Sequence, residues 1–533
     1  MISKNPVHRF LLPATLLPAT LLPAILLPAI LLLSSTLLSC GKSITSTEAL
    51  IPLTPATTDA NAGSWKMIVL TGPSQIPLAA PAPKTDPLYL AELASIKTAQ
   101  ASITPDQQTS ITYWSAGGVL RWNEIMRELC ARQDLPPSPN PDGSYGVPSA
   151  ANPFANPQFP FSNPPYAARA YSYVSVAQFE ALKVAWFYKF QYNRASPFKN
   201  DPSIKSTMPD TAIPSYPSED AVESAVNQTL LKLLFPTNAV EIDQHAADQQ
   251  QAALLSGRAS ASDIAAGIAL GKAVAAVFSA RASTDGMKTA GGNPAIWQQI
   301  ADAAKARGEI PWVSQDGPPR PPMLPVFGQV KGWMMLPSDV LNERPPPPPS
   351  TSSAQMVAET LEVKTTVQNL TRDQLATVYK WADGASTATP PGHWNTIAVP
   401  YIVAAQMSEV RTARVFALLD MAMHDAAIGC WDAKNFYFNP RPSQLDPSIK
   451  TMTGLPNFPS YVSGHSVFSA AGADVLSYIF PSGESFFASQ MQEAAMSRLY
   501  AGIHFRSDIS AGMAQGQRIG EYTVRFAKTD GAN

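Results

Sequence analysis

Apolar residues recur at spacings of three and four along five stretches: LYLAELASIKTAQ (88–100), AQFEALKVAWFYKF (177–190), DIAAGIALGKAVAAVFSA (263–280), MVAETLEVKTTVQNL (356–370) and TARVFALLDMAMHDAAIGCW (412–431). That period lays one apolar stripe along an α-helix. Strand-like alternation is scarce, so the expected fold class is all-α. Prolines collect between the helical stretches, at 134–165, 311–325 and in NERPPPPPSTSS at 342–353, which predicts loops or stiff connectors there.

The pattern repeats. Sliding the chain by 245 residues places DPSIK (201–205) on DPSIK (446–450), PSYPSED (214–220) on PSYVSGH (459–465) and SDIAAGIALG (262–271) on SDISAGMAQG (507–516), without a gap. The same offset pairs Trp186 with Trp431 and Lys189 with Lys434. Two related helical bundles follow from this internal duplication: a degenerate N-terminal bundle at 64–285, a Pro-rich connector at 286–355 and a second bundle at 356–529.

The first 40 residues stand apart. Lys4 and Arg9 precede an uncharged run from Phe10 to Ser39 that contains LLPAT twice and LLPAI twice, a targeting pattern. It ends in Leu37-Leu38-Ser39-Cys40-Gly41, which resembles the lipobox of bacterial lipoproteins. That resemblance implies a signal peptide at 1–39, a lipid on Cys40 and a location in the bacterial cell envelope, membrane-anchored on the periplasmic or outer-membrane side. A Ser/Thr/Ala-rich tether is expected over 40–63. Without residues 1–39 the chain carries 36 Lys+Arg against 40 Asp+Glu. This mildly acidic balance excludes a nucleic-acid partner, which would need a basic surface. With Cys40 acylated, only Cys130 and Cys430 remain; they allow one bridge but no framework, and Cys430 beside Trp431 reads more simply as a buried small hydrophobe.

The two copies part company at their charged residues. Opposite Arg441, Gly464, His465, Arg498 and His504 the first copy has Ser196, Glu219, Asp220, Ala253 and Ala259. The chemistry is therefore expected in the C-terminal bundle, with the first copy a scaffold or a surface for homodimer formation. Lys189 reads as solvated surface, or as a stem packed on an aromatic neighbour. In the second copy Lys434, Arg441 and Arg498 offer cationic donors, the arginines as planar forks suited to a tetrahedral oxyanion. Ser463 and the Gly464 N–H add neutral donors where a helix is expected to begin, near Ser466. His504 and Asp508, four apart, share a helix face, so the carboxylate can hold one imidazole nitrogen and leave the other for a ligand. His245, His393 and His424, taken singly, read as structural.

In order and spacing, Lys434 with Arg441-Pro442, then Ser463-Gly464-His465, then Arg498, His504 and Asp508 resemble the signature of the superfamily joining type 2 phosphatidic acid phosphatases and vanadium-dependent haloperoxidases. Val462 departs from it, since the family places proline there. The resemblance implies a small-molecule substrate and either of two activities. In a haloperoxidase the cofactor would be vanadate, with His504 bonded to vanadium and Lys434, Arg441, Ser463, Gly464 and Arg498 around its oxygens. In an acid phosphatase there would be no cofactor, and His504 would form a phosphohistidine. In both, His465 would be the acid–base. Trp431 and Phe458 match aromatic positions lining the pocket of fungal chloroperoxidases, and Gly472 stands where algal bromoperoxidases have a second histidine. The haloperoxidase reading is therefore preferred, with the phosphatase as the alternative.

Overall fold

The computed structural model describes residues 48–532 except 136–138, 146–160 and 162; the leader, Cys40 and part of the 134–165 loop lie outside the described residues. Among the described residues every regular element is a helix. Ten of them carry the argument: α1 (Gly118–Gln133), α2 (Pro164–Tyr192), α3 (Glu219–Leu234), α4 (Ala239–Leu255), α5 (Ala261–Ser283), α6 (Thr389–Ala404), α7 (Glu409–Tyr437), α8 (Gly464–Ile479), α9 (Glu484–Tyr500) and α10 (Arg506–Ala527).

Adding 245 to the bounds of α2, α3 and α4 gives those of α7, α8 and α9, and α5 maps onto α10 to within one residue at its end. The duplication is thus structural as well as textual. It extends to the stops: α2 ends at Asn193 (φ 46°) and α7 at Phe438 (φ 54°), both left-handed. Arg169–Asp285 and Arg414–Asp530, again 245 apart, are both ion pairs at 2.7 Å. Tyr216–Pro217 and Tyr461–Val462 are both cis.

Long irregular segments need partners for their backbone N–H groups, and here buried carboxylates on the two long helices supply them. Glu180 on α2 accepts from the N–H groups of Ile68, Val69 and Leu70 at 2.8–3.2 Å. Asp425, its counterpart on α7, accepts from Trp333, Met334 and Met335 at 2.7–3.0 Å. The expected tether is accordingly packed chain from Leu50 onward: Leu53 donates to Ser115 O, Ala56 to Gln406 O, and Ala62 is fully buried. The proline run is laid over the second copy, where Tyr437 and Tyr461 donate to the carbonyls of Pro345 and Pro346, both at 2.6 Å.

One apolar cluster runs from Ala62 to Ala532 and includes Trp186 and Trp431. The two copies therefore share a core, with α2 lying along α7. Cys130 and Cys430 are both buried and free. Close approach of α10 to α8 needs glycine: a Cβ on Gly516 would stand 2.3 Å from Val467 O, and one on Gly512 2.9 Å from Ser463 O. That approach sets the start of α10, with Asp508, against the start of α8, with Ser463, whose N–H donates to Asp508 O at 3.0 Å.

Candidate active site

Helix α8 begins at Gly464, two residues before the expected start, because Ser463 is its N-cap and accepts from Ser466 N at 3.4 Å. A Cβ on Gly464 would meet nothing nearer than Phe468 Cε2 at 3.9 Å, so the glycine leaves open space at the helix end. Around that space the fold gathers Lys434 from the last turn of α7, Arg441 just beyond it, Arg498 from the last turn of α9, His504 from the approach to α10 and Asp508 from its first turn.

The three cations are buried and held by backbone carbonyls. Lys434 Nζ donates to Pro459 O (2.8 Å) and Ser460 O (3.0 Å). Arg441 donates to Phe458 O through Nε and Nη2 and to Ile503 O through Nη1. Arg498 donates to Ser497 Oγ through Nε and to the carbonyls of Trp381 and Val378 through Nη2. Carbonyl dipoles fix these side chains without neutralising them. Burial brings Lys434 down to about 7, Arg441 to about 9 and Arg498 to about 10. The cavity is electrostatically short of an anion.

His504 Nδ1 lies 2.9 Å from Asp508 Oδ2, which also accepts from Phe505 N at 3.0 Å and from the Ser460 hydroxyl at 2.5 Å. This assigns the imidazole proton to Nδ1. Nε2, the acceptor that remains, takes a hydrogen bond from Arg441 Nη1 at 3.0 Å. Burial, followed by the charges of Arg441, Lys434 and Arg498, pushes the His504 pKa well below its usual value, so Nε2 keeps its lone pair. The same centre suits an oxyanion whose central atom bonds to nitrogen, with Gly464 leaving room for it.

His465, on the first turn of α8, faces a residue that sequence reasoning missed. Its Nε2 is 3.3 Å from Asp383 Oδ2, and Asp383 Oδ1 lies 2.9 Å from His393 Nδ1. His393 also stacks on Trp381, with ring centroids 4.2 Å apart. His393, read singly as structural, thus stands in line with Asp383 and His465. Although burial favours a neutral Asp383, the two histidines hold its pKa far below the usual carboxylate range. Burial, with Arg498 beside it, lowers His465 to about 4, so at neutral pH it is an uncharged acceptor. Asp383 lies outside the repeated segment, in an irregular stretch with no periodicity to mark it. His424 is buried and neutral, in keeping with a structural role.

The first copy answers the same positions differently. Lys189 is fully buried rather than solvated, and its Nζ lies 2.5 Å from Glu219 Oε2, while Arg258 Nη2 lies 2.6 Å from Glu219 Oε1. Glu219 stands where Gly464 stands in the second copy. The protein's own carboxylate therefore occupies the place that an oxyanion would take.

Above the second-copy centre opens a cavity of about 540 Å³ whose wall includes Trp431, Phe458, Gly464, His465, Arg498 and His504. Trp431 and Phe458 pack at 5.0 Å, and Lys434 Nζ and the Arg441 guanidinium lie 4.9 and 5.1 Å from the Phe458 ring centre. Residues 415–531 match the model of the PAP2 superfamily. The C-terminal bundle belongs to that superfamily. Its fold is also that of solved bacterial enzymes. A vanadium-dependent iodoperoxidase described as the first bacterial one superposes with a TM-score of 0.56 at 21% identity, over 76% of this chain and 95% of that one. A bacterial vanadium-dependent chloroperoxidase superposes with TM-scores of 0.50 in its apo form, at 12% identity over 68% and 94% of the two chains, and 0.51 in its holo form, at 13% identity over 72% and 96%. No curated protein matches the chain in sequence. The PAP2 segment starts within α7 and ends beyond α10, so it spans Lys434, Arg441, His465, Arg498, His504 and Asp508, and leaves out Asp383 and His393.

Proposed function

We propose that this protein is a vanadium-dependent haloperoxidase-like enzyme that holds vanadate at the start of α8 and oxidises halide with hydrogen peroxide. The observation that carries the oxyanion reading is the surplus of buried cations: Lys434, Arg441 and Arg498 converge on an open space at a helix N-terminus, all with depressed pKa values. The peroxidase choice is supported by the two-copy architecture, which covers nearly the whole chain of the bacterial iodoperoxidase. Vanadate, when bound, supplies a Lewis-acidic centre that polarises peroxide towards attack by halide.

The rest is the work of the protein's own groups. Asp508 keeps the imidazole proton on Nδ1 and turns Nε2 of His504 inward as the ligand atom. Lys434, Arg441 and Arg498 offset oxyanion charge, and the Ser463 hydroxyl and Gly464 N–H add donors without charge. His465, neutral and with Nε2 turned to Asp383, is left Nδ1 as the atom that accepts and returns protons. A second reading uses the same groups, and the superfamily match over 415–531 favours it: an acid phosphatase in which His504 Nε2 attacks phosphorus and His465 protonates the leaving alkoxide. We further propose that Cys40 carries a lipid that holds the protein in the cell envelope. Assaying peroxide-dependent bromination and phosphomonoester hydrolysis, each with and without orthovanadate, tests the choice. The peroxidase reading expects bromination only with vanadate; hydrolysis that vanadate inhibits, without bromination, would establish the phosphatase instead.

A further inference from the structure

The 540 Å³ cavity is far larger than a halide, peroxide or a bare oxyanion requires, and lies within the range that holds organic ligands of drug size. Its wall above the cations is mainly apolar and comes from three parts of the chain. The first copy contributes Phe161 and Pro164, the connector contributes Met323, and the second copy contributes Pro390, Leu455 and Phe468. Phe161 is fixed in place by stacking on Phe235 of the first copy, with centroids 4.4 Å apart and planes 10° from parallel. At the same cavity Arg320 donates Nε to Asp316 Oδ2 at 2.7 Å, so the charge brought by the connector is already paired.

We propose that this cavity binds a largely apolar organic substrate next to the oxyanion centre, and that the degenerate first copy, through Phe161 and Pro164, builds one wall of the substrate pocket. The proposal rests on the reading of the centre as an oxyanion site and adds to it the class of molecule on which that site acts. The first copy, expected to be a scaffold, then has a function that its lost histidines conceal: it selects the organic partner. The same apolar space serves a free halogen acceptor or the organic part of a phosphate ester. Burial of apolar area drives binding in both cases, and because Arg320 and Asp316 pair with each other the connector's part of the wall offers no unpaired charge to the organic portion.

Equilibrium dialysis of the full chain with 2-naphthol, with 2-naphthyl phosphate and with orthovanadate tests this, using wild type, Ala385→Trp and Phe161→Ala. Ala385 is an exposed residue of the cavity wall, so a tryptophan there fills space without disturbing the core. The expected result is saturable uptake of one 2-naphthol per chain, weakened about tenfold or more in both variants, with orthovanadate uptake unchanged. Preferred uptake of 2-naphthyl phosphate, competed by orthovanadate, identifies the ester as the occupant; equal uptake of 2-naphthol with and without orthovanadate identifies the free acceptor. Uptake of 2-naphthol that does not saturate, or that survives unaltered in Ala385→Trp, overturns the proposal while orthovanadate binding leaves the oxyanion reading intact. Variant-sensitive 2-naphthol binding without any orthovanadate uptake supports the pocket and removes the oxyanion reading.

Discussion

Replacing Glu219 by alanine removes a carboxylate that two buried cations share. Lys189 Nζ sits 2.5 Å from one oxygen and Arg258 Nη2 2.6 Å from the other, and the Lys189 side chain has no solvent exposure. Breaking a buried ion pair from one side costs about 3–5 kcal/mol, because the remaining charge stays desolvated. The carboxylate's own titration gives a similar figure. Burial raises its pKa, but Lys189 and then Arg258 outweigh that and bring it from 4.5 to about 2. At about 1.4 kcal/mol per pKa unit this contributes about 3 kcal/mol above pH 4.5, lost as the pH falls from 4.5 through about 2. Urea denaturation followed by tryptophan fluorescence at pH 7 reads the difference. Glu219→Ala should unfold earlier by about 3 kcal/mol, and millimolar acetate or sulfate should restore part of the loss by entering the vacated position, whereas Glu219→Gln should be rescued less. Turnover at the second-copy centre should be unaffected in the protein that remains folded. A loss below about 1 kcal/mol, or no anion dependence, would refute the view that Glu219 is a built-in anion filling a former oxyanion site.

Further outcomes follow from the second copy and the leader. His504→Ala removes the Nε2 ligand and should abolish either activity. His465→Ala should leave oxyanion uptake in place while turnover falls about 10²–10⁴-fold, so uptake by dialysis and initial rates on the same samples separate the two roles. Because burial lowers Lys434 to about 7, its ammonium is lost as pH rises above 7; stability should climb between pH 7 and 10.5, where the unfolded chain binds the extra proton. Over the same range sulfate, which does not titrate there, should bind more weakly by up to about tenfold per pH unit; calorimetric affinities that are flat from pH 7 to 9 contradict this. Cys40→Ala should release the protein from membranes or leave an unprocessed precursor, and radiolabelled palmitate incorporated equally into this variant would refute lipidation at Cys40.

The repeat explains why so much was legible. An offset of 245 that aligns DPSIK with DPSIK also aligns α2 with α7 and α3 with α8, because the same apolar stripes bury against a shared core. Lys434, Arg441, Arg498, His504 and Asp508 were readable because each departs from, or survives in, that alignment. What escaped was set by tertiary contact alone. Asp383, in an irregular stretch, and His393, ten residues on in the first turns of α6, come to His465 only through tertiary packing, with His393 stacked on Trp381. Of the two readings of Lys189, solvation fails and packing beside an aromatic neighbour holds, with Nζ 6.0 Å from the Trp186 ring centre; what the sequence does not show is Glu219, 30 positions along the chain, reaching back to it. Ser460 and the carbonyls that grip the cations carry no sequence signature, since backbone acceptors exist at every residue.

The most direct test of the oxyanion centre is a crystal structure of the protein soaked in orthovanadate. The account predicts one vanadium per chain, bonded to Nε2 of His504 with its oxygens among Arg441, Arg498 and the N–H of Gly464, and none in the first copy, where Glu219 fills the corresponding place. Vanadium bound away from His504, or seated beside Lys189 and Arg258 instead, would contradict it.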